Sequence, residues 1–200
     1  MDIGCIVLAG GKSTRLGRDK TAEIVGGKTL FERVICALKS LNSEIIVVKS
    51  TNSSTQKFYN YPKLKLVDDI YPQKGMSGGI YSGLVASSSF HNLVVASDMP
   101  FLNPELLYYM TDIAKAFDLV AHKRNNMFEP LHAVYSKNCL PFLKEIVQSN
   151  LRIIELLLHV KVRYLSIEEI ERFDIQHLSI FNINTEKDLI KARKLASSSF

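Results

Sequence analysis

An apolar run that ends in two adjacent glycines constrains this chain most. Ile6-Val7-Leu8-Ala9 leads into Gly10-Gly11, and Lys12-Ser13-Thr14-Arg15-Leu16-Gly17-Arg18-Asp19-Lys20-Thr21 follows. A short, nearly continuous apolar segment is what a strand inside a parallel sheet requires, because both of its faces are covered. The glycines let backbone turn and approach a ligand where a side chain would clash. Exposed amides beside Lys12, Arg15, Arg18 and Lys20 read as an anion site. The stretch is therefore a strand feeding a loop that meets something negatively charged.

The rest of the chain alternates strand and helix. The pattern predicts strands at 2–9, 44–48, 64–67 and 92–96, with shorter ones at 119–122, 130–134, 162–165 and 181–184. Gly26-Gly27-Lys28 reads as a tight turn of the hairpin type. A helix is expected from about 29 to 41, where Thr29 and Glu32 form a capping-box pattern and Leu30, Val34, Leu38 and Leu41 recur at helical spacing. Gly75-Met76-Ser77-Gly78-Gly79 reads as a second glycine-rich loop before a helix at about 79–88. Further helices are expected near 104–116, with Pro104 in its first turn, then at 139–148 and 151–159. Thr185-Glu186-Lys187-Asp188 opens a last one. Such alternation predicts an α/β fold, a single Rossmann-like domain over 1–196 with a mostly parallel sheet flanked by helices. Residues 197–200 are expected to be a disordered tail. Ligands in such folds sit outside the carboxyl ends of the strands.

Composition narrows the classes. Three cysteines, Cys5, Cys36 and Cys139, lie far apart with no C-x-x-C pair, so neither a disulfide framework nor a zinc site is supported. Cys5 and Cys36 fall in apolar segments and read as small core residues, in a reducing compartment. No charged segment precedes an apolar one at the N-terminus, and no apolar run reaches about 18 residues, so neither a signal peptide nor a membrane span is expected. The location expected is cytoplasmic. The net charge of +5 is dispersed rather than blocked, which fits a small polyphosphate ligand better than a nucleic-acid track.

Two common phosphate loops fail on spacing. A Walker A motif ending at Gly11-Lys12-Ser13 would need glycine at Ile6, and G-x-G-x-x-G would need glycine at Lys12. What the chain holds is L-A-G-G-x-S-x-R-x-G-x-D-K from Leu8 to Lys20. This resembles the nucleotidyltransferases that activate sugars and cofactors. It looks most like the molybdenum cofactor guanylyltransferase (MobA) family. Further matches follow in order: Asp68-Asp69, Gly75 to Gly79, Ser97-Asp98-Met99-Pro100, Glu129-Pro130 to Val134, and Asn182-Ile183-Asn184-Thr185. The resemblance covers nearly the whole chain. It implies a nucleotide-diphospho-sugar transferase-like fold, and transfer of GMP from GTP to molybdopterin with Mg²⁺, releasing pyrophosphate. Cytidylyltransferases usually carry L-A-A-G, so Gly11 favours guanine. A molybdopterin cytidylyltransferase, another small-substrate nucleotidyltransferase, and a nucleotide-binding regulatory protein without turnover stay open as alternatives. Partners implied are molybdopterin-delivering and molybdoenzyme-chaperone proteins, with no nucleic acid and no membrane.

Chemistry and resemblance assign roles together. Attack on the α-phosphorus needs charge neutralised, oxygens held in line and a metal bridging phosphate oxygens. Mg²⁺ takes one or two protein carboxylates and keeps waters. Asp98, at a strand's carboxyl end, suits that role, and the resemblance places the metal-binding aspartate there. Lys20 and Arg15 would grip the triphosphate, Arg as a bidentate fork and Lys as a point charge. The resemblance puts Leu8, Ala9, Gly10 and Gly11 against guanine and ribose, Asp69 on the nucleotide, and the backbone at Gly75 and Gly79 over it. Asn182 and Asn184 would line the molybdopterin side or brace the site. Two departures stand out. Lys49 occupies a position where relatives commonly place an asparagine, and Met76-Ser77 replaces Pro-Leu. The five histidines form no ligand spacing; His132, beside Glu129-Pro130, is the one near the expected pterin side.

Overall fold

The computed structural model describes residues 3–9, 20–49, 61–124 and 127–197. In chain order its elements are β1 (Ile3–Ala9), β2 (Ile24–Val25), β3 (Lys28–Thr29), α1 (Leu30–Lys39), β4 (Glu44–Lys49), β5 (Leu64–Asp68), α2 (Gly75–Ala86) and β6 (His91–Ala96). Then come α3 (Pro104–Ile113), β7 (Leu119–Arg124), β8 (Met127–Phe128), β9 (Ala133–Ser136), α4 (Leu140–Gln148), β10 (Val162–Leu165), α5 (Ile167–Glu171) and α6 (Glu186–Ser197).

The main sheet runs β10-β7-β9-β6-β1-β4-β5, with β8 paired to β7. β1 is flanked in parallel by β4 and β6, β4 by β5, and β7 by β10. β9 is the antiparallel insertion between β6 and β7. The sheet is thus mostly parallel, as the alternation predicts. Every residue of β1 is buried, because helices cover both faces. Cys5, Val7 and Ala9 pack with Phe31, Val34 and Leu38 of α1 and with Leu106 and Met110 of α3. Ile6 and Leu8 face the other way, toward Ile80 and Leu84 of α2 and Leu143 and Ile146 of α4. A third cluster seats α6 on the β2–β3 hairpin through Val25, Leu30, Ile183, Leu189 and Ala192.

Local signals explain several boundaries. Thr29 caps α1, with Thr29 and Glu32 bonding each other's backbone amides, so the capping box forms as its spacing predicts. Gly26 and Gly27 both have positive φ, 58° and 76°, as a two-residue hairpin turn of this hand requires. Asn103 accepts from the amides of Glu105 and Leu106 and caps α3.

The structure corrects five expectations. The stretch 75–79 is not a loop: it is the first turn and more of α2. Glycine lowers helix propensity, but here it lets α2 lie close on β1. A Cβ at Gly79 would sit 3.2 Å from Leu8 Cδ2, and one at Gly83 would collide with Ile6. The strand expected at 130–134 starts later, at Ala133, because His132 turns the chain with φ of 101°. Residues 151–159 form a 3₁₀ run at Ile153–Leu158 instead of an α-helix. Residues 181–184 are extended but pair with no strand; Ile183 makes a single backbone bond, to Asp98. Cys36 is exposed on α1, whereas Cys5 and Cys139 are buried. Unanticipated elements include the short strand β8 and the helix α5, which the Ser166–Glu169 capping box opens.

Candidate active site

The carboxyl ends of β1, β4, β5 and β6 lie along one edge of the sheet, with Ala9 beside Lys49 and Lys49 beside Asp68 in register. β6 carries the chain past Ala96 into Ser97-Asp98-Met99-Pro100, all buried. Three bonds fix this turn. The Ser97 amide donates to the Leu8 carbonyl at 3.1 Å, the Ile183 amide donates to the Asp98 carbonyl at 3.1 Å, and Arg33 Nε donates to the Pro100 carbonyl at 2.9 Å. The Asp98 side chain is only 10% exposed. Its Oδ2 forms an ion pair with Lys20 Nζ. Its Oδ1 is buried and has no hydrogen-bond partner among the described residues.

Lys20 opens a short 3₁₀ turn, Lys20–Ala22. Its ammonium also donates to Asn184 Oδ1 at 3.2 Å. Asn184 is held in turn: its amide donates to Asp188 Oδ2 at 3.1 Å, and the Thr185 amide and hydroxyl donate to the same oxygen at 2.8 Å. Desolvation alone would raise the Asp188 pKa, but these bonds outweigh it and hold the carboxyl below its usual range. The start of α6 is therefore a fixed platform for Asn184. Lys20, Asp98 and Asn184 meet although 78 and 164 positions separate Lys20 from the other two.

The other expected residues lie apart from that meeting point or outside the described residues. Gly10, Gly11 and Arg15 fall in the latter group. Leu8 and Ala9 are almost fully buried, and the Leu8 side chain packs under α2. Gly79 is also buried in that contact; Gly75 stands exposed at the helix start with φ of 58°. Asp69 lies three strand steps from β6, about 14 Å at the usual spacing. Its Oδ1 accepts from Ser82 Oγ at 2.8 Å and from the Tyr71 amide at 2.9 Å. Lys49 pairs with Asp68 at 3.1 Å. Asn182 Oδ1 is buried without a partner among the described residues.

His132 is buried, with Nδ1 3.1 Å from His122 Nε2 and the rings edge-on. Burial, and then the neighbouring His122, lower its pKa to about 3, so it is neutral near pH 7. A cavity of about 440 Å³ behind the Asp98 turn is lined by Arg33 and Pro100 but by none of Lys20, Asp98 and Asn184. Sequence reasoning did not find Arg33, Ile183 or Asp188. Asp188 had a signal in its capping-box spacing; Arg33 acts through a side chain on a distant backbone carbonyl and Ile183 through its own backbone, and neither had one.

Comparison with known proteins decides the family. The model of the MobA-like NTP transferase domain matches residues 5–160. The chain belongs to the MobA family of nucleotidyltransferases. It is 32% identical over 195 residues to a probable molybdenum cofactor guanylyltransferase of Pelotomaculum thermopropionicum, covering 97% of this chain and 93% of that one. A protein of the same description from Natranaerobius thermophilus is 34% identical over 199 residues, with 96% of each chain covered. Among solved structures, molybdopterin-guanine dinucleotide biosynthesis protein A of Archaeoglobus fulgidus superposes with a TM-score of 0.83 at 29% identity, covering 98% of this chain and 99% of that one. The 2-C-methyl-D-erythritol 4-phosphate cytidylyltransferase of Thermus thermophilus shares the fold, at a TM-score of 0.71 and 16% identity.

MobA-like nucleotidyltransferases generally use a divalent metal. Among the described residues no three His, Cys, Asp or Glu side chains cluster as a metal cage. The orphaned Asp98 Oδ1 nevertheless fits an ion that takes one protein carboxylate and fills its other positions with water and phosphate. No helix among the described residues is long and apolar enough to cross a membrane.

Proposed function

We propose that this chain transfers GMP from GTP to molybdopterin. A phosphate oxygen of molybdopterin attacks the α-phosphorus, the α–β bridging bond breaks, and pyrophosphate leaves with that electron pair. The observation that carries the reading is the Lys20–Asp98 pair at the carboxyl edge of the central strands, in a chain whose full-length relatives are described as guanylyltransferases.

Each expected site residue has a task in this reading. Lys20 supplies a mobile point charge for the triphosphate, and Arg15 a fork for its oxygens. The backbone of Leu8, Ala9, Gly10 and Gly11 borders guanine and ribose. Asp69 meets the nucleotide through Oδ2, since Oδ1 is committed to Ser82 and Tyr71. Gly75 borders the nucleotide at the start of α2, while Gly79 sets that helix's distance from β1. Asn182 and Asn184 face the molybdopterin side. Asp98 would hold Mg²⁺, which when bound neutralises phosphate charge in the transition state. The enzyme works in the cytoplasm and exchanges molybdopterin and product with delivery and chaperone proteins.

Titration of GTP, CTP and ATP with Mg²⁺, with and without molybdopterin, tests the reading. GTP is expected to bind tightest and to yield pyrophosphate only when molybdopterin is present. Tighter binding of CTP would replace guanylyl with cytidylyl transfer, and binding without turnover would make the chain a nucleotide sensor.

A further inference from the structure

We propose that Lys20 guards Asp98, so that a divalent cation reaches this carboxylate only in company with a triphosphate. The inference rests on the proposed function in taking Asp98 as the residue that holds the metal. The Lys20 ammonium occupies Asp98 Oδ2. A second hold comes from Asn184 Oδ1 at 3.2 Å, itself fixed through Asp188. An ammonium has three donors and no acceptor, so two oxygen partners suit it well. Both side chains are mostly out of water, 20% and 10% exposed, where charge–charge interactions are less screened. A dication arriving at Oδ1 would share one carboxylate with a cation already in contact with it, and the two would repel.

The same site gives the lysine a reason to leave. Its backbone is pinned, with the Glu23 amide donating to the Lys20 carbonyl at 3.1 Å, but its four-carbon stem can redirect the ammonium without moving the chain. A triphosphate offers more negative charge than one carboxylate and an amide oxygen. Once the ammonium turns to phosphate, Asp98 Oδ2 is released, and Oδ1 has no hydrogen-bond partner among the described residues. Among the described residues no group of three His, Cys, Asp or Glu side chains forms a ready cage, and an ion of this kind can take its remaining ligands from phosphate and water. Lys20 thereby couples cation loading to nucleotide loading, and Asn184 is the positioning residue that holds it in the guarding pose.

The test is Mn²⁺ binding to the full chain without nucleotide, read as free Mn²⁺ by electron paramagnetic resonance. Wild type is expected to bind weakly. Lys20→Met should tighten Mn²⁺ binding about tenfold or more, because it removes a contacting positive charge. Lys20→Arg, which keeps the charge, should bind as weakly as wild type. Asn184→Ala should tighten binding by a smaller factor, about two- to fivefold, since one of two holds is lost. Adding Asp98→Asn to Lys20→Met should abolish the gain and so locate it. Thermal melts check that each variant folds; should Lys20→Met not fold, Lys20→Gln makes the same removal of charge. Unchanged Mn²⁺ affinity in the folded, charge-removed variant would overturn the proposal, as would a gain that survives Asp98→Asn. No nucleotide or pterin enters this measurement, so it stands or falls separately from the choice of GTP over CTP.

Discussion

Asp69 and Asp98 occupy like positions, each just past the carboxyl end of a parallel strand on one edge of the sheet, yet their surroundings differ. Asp69 is partly exposed and its Oδ1 takes two local bonds, from Ser82 Oγ and the Tyr71 amide. These close the turn between β5 and α2. Asp98 is buried, its Oδ2 faces Lys20, and its Oδ1 has no hydrogen-bond partner among the described residues. A buried acceptor without a partner is destabilising by about 1–3 kcal/mol, more when charged. A fold gains nothing by keeping such an atom, whereas a site that binds a cation needs one. Location at a strand end therefore does not separate the two carboxylates; an open valence in a buried setting does.

The strongest way to break this distinction is to neutralise each carboxylate in turn. Asp98→Asn is expected to lower the rate of pyrophosphate release about 1,000-fold, in the range seen when a principal electrostatic group is lost. Asp69→Asn keeps an oxygen for Ser82 and Tyr71, so turnover should fall less than about tenfold. Equal losses in the two variants, by the same assay, would place both carboxylates on the reacting phosphates.

His132 sharpens the comparison from the other side. Its Nε2 is also buried without a partner among the described residues, but the ring is neutral because burial and His122 lower its pKa to about 3. An orphan atom alone thus does not make a site; charge and a convergent partner are needed too. The sign of the pH effect follows. Below about pH 6.5 the unfolded chain takes up a proton that the native ring refuses, so stability is lost as pH falls toward 3, by about 1.4 kcal/mol per unit. His132→Phe should flatten that part of the acid unfolding curve. An unchanged slope would mean that the native ring protonates readily.

Gly83 links the two regions through their shared floor. It adjoins Ser82, which bonds Asp69, and it faces Ile6 of the strand that supports the Asp98 turn. Gly83→Ala forces α2 away from β1 and should destabilise by about 1–3 kcal/mol, the usual effect of overpacking, measured by denaturant melts. Nucleotide affinity should fall with it, because Ser82 and the Asp69 turn move together. Loss of stability with full nucleotide affinity would separate Asp69 from the nucleotide site.

The unequal legibility of these regions has a physical cause. β1, β4 and β6 could be read because a strand covered on both faces must be apolar throughout, and α1 because Thr29 and Glu32 sit at capping-box spacing. The Leu8–Lys20 register and Asp98 pointed to the nucleotidyltransferases through resemblance. By contrast, the start of α2 was hidden because its glycines signal a loop locally, and Gly79 and Gly83 are explained only by Leu8 and Ile6 across the interface. The delayed start of β9 depends on one backbone angle, at His132. Phe181 to Asn184 carries a strand-like pattern but belongs to no strand, and its Ile183 amide bonds the Asp98 carbonyl instead. The approach of Asn184 to Lys20 is set by where α6 begins, which no local pattern encodes.

The smallest effect is expected at Lys49, which ends β4 and so bears on whether this end of the edge touches nucleotide. Its ammonium lies 3.1 Å from Asp68 Oδ1, and the Asp68 side chain is 68% exposed. Exposed pairs of this kind contribute about 0–1 kcal/mol. Lys49→Asn should therefore leave the melting curve almost unchanged. If Asp68 holds Lys49 away from the nucleotide, GTP affinity should also stay within about threefold of wild type at 0.15 M salt, where charges beyond roughly 8 Å are screened. A larger gain in affinity would mean that the asparagine makes a contact that Lys49 cannot, and would extend the nucleotide site from β1 to β4. A larger loss would mean that the Lys49 ammonium leaves Asp68 for phosphate, and that the edge holds a second mobile cation beside Lys20.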